Sequence, residues 1–217
     1  MTSSAPRGLW ITFEGGDGAG KTTQSTLLEE WLQSQGRTVL RTREPGGTEV
    51  GNLIRDIVLH HRGDVAPRAE ALLYAADRAH HIETLVRPAL SRGEVVIQDR
   101  YLDSSVAYQG AGRVLDPNEV RNLSLWAADD ALPDVTVLLD LDPVRARERL
   151  DADDKPFDRL EAEKLDFHTR VRTAFLALAE AEPERFLVLD ATLPASELTA
   201  AVRDRVSTLI GDVRAPH

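Results

Sequence analysis

The chain has 217 residues, the length of one domain with room for a mobile insert, and can bury a core without disulfides or a structural metal. It carries 26 Lys and Arg against 36 Asp and Glu, a net charge of −10 that repels polyanions and argues against nucleic-acid or membrane partners, though not against a local basic pocket. It contains no cysteine, which excludes disulfide scaffolds, thiol catalysis and cysteine zinc sites.

In chain order, Leu9–Glu14 reads as a buried strand, followed by a glycine-rich turn and a helix over Lys21–Gln35 that Gly36 ends. Thr38–Thr42 is a second strand. After the break at Pro45-Gly46-Gly47, an amphipathic helix is predicted over Thr48–His60. Pro67 suits a first helical turn and opens a long helical stretch towards Leu90, closed by Gly93. Glu94–Gln98 and Val135–Leu139 are further strands, with a helix over Asn118–Ala128 between them. Helices over Pro143–Leu150 and Leu160–Ala181 flank the charged run Asp151–Asp158, and strand Phe186–Leu189 and helix Ser196–Ile210 complete the chain. The runs of Val, Ile and Leu are those of strands covered on both faces. Their alternation with helices predicts a three-layer α/β/α domain over residues 1–217, with a central parallel sheet of about five strands. No apolar run is long enough to span a bilayer, and Met1–Gly8 lacks the apolar stretch of a signal peptide, so a cytoplasmic protein is expected.

Gly15–Thr22 reads GGDGAGKT, the pattern G-x-x-x-x-G-K-[ST], between a strand and a helix. The residues Gly15, Gly16, Asp17, Gly18, Ala19 and Gly20 form a loop whose amides can curl around phosphate oxygens at a positive helix N-terminus. Lys21 is expected on the β- and γ-phosphates, and the Thr22 hydroxyl on Mg²⁺. The donor is thus a nucleoside triphosphate with Mg²⁺. Asp99, at the end of the strand Glu94–Gln98, is the candidate carboxylate of the magnesium shell. Asp140 and Asp142 compete for that role but stand where an aspartate caps the helix beginning at Pro143.

The segments FEGGDGAGKTTQ, TREPGGTEVG, LLYAADRAHHIE and DRYLDSSVAYQGAGR, with a late DRLE, together resemble bacterial thymidylate kinases. The resemblance spans Leu9 to about Thr192. It implies a P-loop kinase that transfers the γ-phosphoryl group of ATP to dTMP and works as a homodimer. It assigns Arg78 to the pyrimidine ring, Tyr74 to stacking on the base, and Arg100 to the acceptor phosphate. It also implies that Ser105 and Gln109 line the base pocket, that Tyr108 packs near the sugar's 2′ carbon, and that Asp17 positions its 3′-hydroxyl. Glu44 is expected to hold Arg43 and Arg100 near the acceptor phosphate. The segment 145–159 is implied to be a lid closing over the donor. Gly18 stands where some members have arginine, so a lid arginine would replace it: Arg145, Arg149 or Arg159, with Arg149 favoured.

Two other readings stay open at this point. A deoxynucleoside kinase would use Glu44 as general base for a hydroxyl acceptor. A P-loop switch protein would hydrolyse its triphosphate slowly without any acceptor. The pairs His60-His61 and His80-His81 lack metal-site spacing and read as surface or interface residues.

Overall fold

The computed structural model describes residues 7–61, 63–113, 115–152 and 158–213, the last three as backbone only. Five parallel strands, β1 (Trp10–Glu14), β2 (Val39–Arg43), β3 (Val95–Asp99), β4 (Val135–Asp140) and β5 (Phe186–Asp190), form one sheet in the order β2-β3-β1-β4-β5. Registers Phe13↔Asp99, Arg43↔Asp99 and Glu14↔Leu138 bring the carboxyl ends of four strands to one rim.

Alternate strand residues feed opposite faces of the sheet. Ile11, Phe13, Ile97, Val137 and Leu139 pack under α1 (Lys21–Ser34) and α9 (Ala195–Val213), which contribute Leu28, Leu32, Val202 and Val206. Trp10, Val96, Leu138 and Phe186 face the other layer. That layer holds α3 (Pro67–His81), α6 (Pro117–Ala128) and α8 (Leu165–Ala181), with α2 (Glu49–His60) packed on α3. Each fully buried Leu or Ile here is worth roughly 1.5–3 kcal/mol against exposure. The helix starts follow local chemistry. The Thr48 hydroxyl accepts from Gly51 N at 2.9 Å to cap α2, and the Asp116 carboxylate accepts from Asn118 N at 2.8 Å to cap α6.

The elements predicted from sequence all form, with shifted ends. The helix expected from Leu160 begins at Leu165, because the Asp158 carboxylate accepts from Leu160 N (2.8 Å) and Glu161 N (2.9 Å) and folds that stretch into a turn. The long stretch after Pro67 is helical throughout but passes through a π-helical segment, Ile82–Val86, into α4 (Arg87–Ser91). A helical stretch not expected from sequence follows β3: α5 (Leu102–Ser105) runs into a π-helical segment, Val106–Gly112. It carries Ser105, Tyr108 and Gln109 to the sheet's rim. Helix α7 (Pro143–Ala152) carries the first part of the implied lid, whose residues 153–157, including most of the acidic run, lie outside the described residues.

Candidate active site

The loop between β1 and α1 is shaped by glycine. Gly15 has φ +128°, and a Cβ there would sit 2.4 Å from the Leu139 carbonyl oxygen, so only glycine fits between the strands. Gly20 enters α1 at φ +98° and no side chain caps the helix, leaving its first amides directed at the loop's concavity. Lys21 is buried and donates to the carbonyls of Gly15 (3.1 Å) and Gly16 (2.8 Å). Burial, aided by the charge of Arg100, draws its pKa below the usual lysine value, while Asp99, Asp17 and Glu14 oppose that.

Opposite the loop, Arg100 leaves β3 with φ +66°, a conformation that a residue with a side chain holds at a cost of order 1–3 kcal/mol. Its Nη1 donates to the Gly15 carbonyl and to Ser104 Oγ, both at 3.1 Å, and its Nη2 pairs with Asp17. Glu14, fully buried, fixes this turn by accepting from Tyr101 N (2.7 Å), Ser104 N (3.3 Å) and Ser104 Oγ (2.6 Å). Burial, with the nearby Asp103 charge, pushes the Glu14 carboxyl up to about 7. Burial would likewise raise Asp17, but the charges of Arg100 and Lys21 overcome it and hold that carboxyl below its ordinary value. The Tyr108 hydroxyl donates to Asp17 at 3.2 Å, and the Arg100 guanidinium lies 5.0 Å from the Tyr108 ring centroid.

Glu44 does not meet Arg43 or Arg100, as the sequence reading expected. Its Oε1 lies 2.9 Å from His81 Nδ1 and its Oε2 3.0 Å from Arg78 Nε, an ion pair whose N–H is not aimed at the oxygen. The fold explains the correction: α3 brings the buried Arg78 guanidinium and His81 imidazole to the end of β2, whereas Arg43 is exposed. His81, expected at the surface or an interface, is fully buried within the chain and also lies 2.7 Å from the Thr42 hydroxyl. Arg78 is 1% exposed and donates from Nη1 to Ser124 Oγ (3.0 Å) and from Nη2 to Ser105 Oγ (3.1 Å). Tyr74 lies one helical turn away, also buried. Asp77, beside Glu44, is pushed up to about 7 by burial and by Glu44's charge.

Of the three candidate lid arginines, only Arg149 reaches the phosphate loop, donating to the Gly18 carbonyl at 3.3 Å and to the Ala191 carbonyl at 2.9 Å. Helix α7 approaches so closely that a Cβ on Gly18 would lie 2.9 Å from the Ala146 carbonyl oxygen. Arg145 lies exposed on α7; its charge adds to the Thr192 hydrogen bonds that lower the Asp190 carboxyl. Arg159 turns away from the loop to the Val58 carbonyl (2.9 Å) and the Glu70 carboxylate.

These groups line one cleft of about 740 Å³ that holds Asp17, Gly18, Gly20, Lys21 and Thr22 at one end and Tyr74, Arg78, Ser105, Tyr108 and Gln109 at the other, with Asp99 and Arg100 between. Arg43 and Arg55 line it too. Sequence reading passed over Arg55, since an arginine on an amphipathic helix looks like a solvated one; its proximity to Arg43 and Arg100 is tertiary. Asp99 Oδ1 is buried with no hydrogen-bond partner among the described residues, which fits a carboxylate shaped for a cation. Thr22, exposed at the same cleft, fits beside it. Mg²⁺ bound through substrate phosphates and water needs only one or two such protein oxygens. Asp140 and Asp142 instead pair with Arg172, and Asp142 accepts from Val144 N at 2.9 Å, the cap position anticipated for it.

Residues 13–202 match the family model described as Thymidylate kinase. The chain is 69% identical over 203 residues to a protein named thymidylate kinase from Clavibacter michiganensis subsp. michiganensis, covering 94% of this chain and 96% of that one. A thymidylate kinase of Deinococcus radiodurans is 51% identical over 201 residues, with 93% and 97% covered. The crystal structure of thymidylate kinase from Ehrlichia chaffeensis superposes with a TM-score of 0.73 at 31% identity, covering 94% of this chain and 99% of that one.

Proposed function

We propose a division of labour among the cleft residues on one premise: the chain belongs to the thymidylate kinase family, and it transfers the γ-phosphoryl group of ATP to dTMP, giving dTDP. The loop amides and Lys21 hold the donor's β- and γ-phosphates. Arg100 clamps the acceptor phosphate, and Arg149 brings positive charge to the group in transit. Asp17 receives the sugar's 3′-hydroxyl, and Tyr108 crowds the 2′ carbon. Tyr74 stacks on the base while Arg78, Ser105 and Gln109 meet its edge. Thr22 and Asp99 hold Mg²⁺, which when bound neutralises charge on the donor phosphates.

A single observation carries this reading. Arg100 bonds to the first carbonyl of the phosphate loop at 3.1 Å and lines the same cleft as Tyr74 and Arg78. Two anion sites therefore share one cavity, as direct transfer between two phosphates requires. The acceptor phosphate, with its second pKa near 6, is largely ionised at pH 7 and attacks without a general base. Glu44, 3% exposed and engaged by Arg78 and His81, is poorly placed to act as the base a hydroxyl acceptor would need.

We also propose a cytoplasmic homodimer. Val50, Leu53 and Ile57 on α2, Leu72 on α3 and Trp126 on α6 are exposed apolar residues on helices that pack in that order, the surface expected of a protein that pairs with its own copy. Among the described residues no helix is long and apolar enough to cross a membrane.

The reaction is tested by following ADP release with dTMP, thymidine or no acceptor. Fast release only with dTMP is expected. Faster turnover of thymidine would replace this reading with a nucleoside kinase, and equal release without acceptor with a nucleotide switch.

A further inference from the structure

Glu70 belongs to none of the roles above, yet it governs one of the groups that meet the base. It stands in the first turn of α3, one helical turn before Tyr74, and is fully buried. Gln109 Nε2 donates to its Oε1 at 2.9 Å, Arg113 Nε donates to the same oxygen at 3.3 Å, and Arg159 Nη2 pairs with its Oε2. Arg113 is held in turn by Glu163, and Arg159 by the Val58 carbonyl at 2.9 Å.

A carboxylate paired with two guanidiniums offers only acceptors, so an amide that meets it must present its NH₂. The chemistry of Glu70 thereby settles which end of the Gln109 amide is which. The Gln109 carbonyl oxygen is left with no partner among the described residues, and Gln109, itself 1% exposed, lines the cleft beside Tyr74, Arg78 and Ser105. Arg78 is a donor only. The end of the cleft thus offers donors beside one acceptor. Thymine carries a carbonyl next to a ring N–H, the complement of that pair. Cytosine carries an amino group next to a bare ring nitrogen, which inverts both positions.

We propose that Glu70 is a specificity-determining positioning residue: it holds Gln109 with its carbonyl towards the base, so that the pocket accepts a pyrimidine imide edge and rejects that of cytosine. The proposal rests on dTMP occupying this cleft, and it adds a buried residue that touches no substrate.

Glu70→Gln tests it with little change of shape. Arg159 would claim the new amide's oxygen, turning its NH₂ towards Gln109 and forcing that side chain to reverse. We expect the ratio of kcat/KM for dTMP to that for dCMP to fall about 10–100-fold, the worth of one reversed buried hydrogen bond. The KM for ATP should stay near wild type, while the melting temperature falls, because two guanidiniums lose their buried counter-charge. Gln109→Leu, which leaves Glu70 and its arginines in place, should also erode the ratio. A Glu70→Gln enzyme that loses both activities in proportion, keeping the ratio, overturns the proposal, because a scaffold residue would behave that way. If that variant does not fold, an unchanged ratio in Gln109→Leu overturns it equally. Wild-type enzyme with no preference for dTMP would sink the assignment of the cleft and this inference together, whereas a wild-type preference that survives in both variants sinks this inference alone.

Discussion

Arg100 bears the heaviest demand of any side chain in the cleft. Its backbone sits at φ +66°, and its guanidinium is spent on Gly15, Ser104 and Asp17. Although burial opposes its charge, Tyr108, Asp17, Asp99 and Glu14 raise its pKa well above the ordinary arginine value, so it stays a cation across the working pH range. Arg100→Ala should lower turnover about 10²–10³-fold, roughly 3–4 kcal/mol of lost transition-state stabilisation, while the melting curve changes little. Steady-state kinetics beside a thermal melt check this; wild-type turnover would place the acceptor clamp elsewhere. At this scale, motif spacing brought out the residues of the phosphate loop, while the resemblance supplied Tyr74, Arg78, Arg100 and Gln109. It missed Glu14 and Glu70, because a carboxylate buried by tertiary packing looks in sequence like any other acidic residue. It mispaired Glu44 for the related reason that Arg43 is adjacent in sequence while Arg78 and His81 arrive from helix α3.

Among the elements, the strands were the most legible, since buried parallel strands must be apolar on both faces and write that into continuous Val, Ile and Leu runs. Helix ends were read to within a few residues where proline, glycine or a capping side chain marks them. The start of α8 was misread because the turn at Asp158 depends on a carboxylate bonding backbone amides, which periodicity does not record. The helical stretch Leu102–Gly112 was missed because Gly110 and Gly112 argue for a loop; Gly112 is there because a Cβ would lie 2.7 Å from the Phe167 ring. Helix α7 yields its own expectation. Arg149 alone among the candidate lid arginines touches the phosphate loop, so Arg149→Ala should reduce kcat at least 10-fold and Arg145→Ala less than 2-fold. Equal effects from the two, measured at saturating ATP and dTMP, would show that the lid rearranges before transfer.

For the whole molecule, parallel connection explains why a protein of net charge −10 can bind a triphosphate and a monophosphate face to face. Ligands in such sheets sit beyond the strands' carboxyl ends. β1, β2 and β3 end there in the glycine loop, Glu44 and Arg100, so Lys21, Arg43, Arg55, Arg78, Arg100 and Arg149 share one cleft against the mean field. The same architecture leaves α2 and α6 with Leu53 63% and Trp126 79% exposed. Light scattering should therefore give twice the 23.9 kDa chain mass, and Leu53→Glu should shift it towards one chain. A single-chain mass for the wild-type protein would contradict the pairing. The face-to-face arrangement of the two anion sites is tested most directly by a crystal structure of the protein soaked with dTMP. Phosphate density is expected against Arg100, with the base between Tyr74 and the Arg78–Gln109 edge. A nucleotide bound with its phosphate away from Arg100, or with its base outside that end of the cleft, would contradict it.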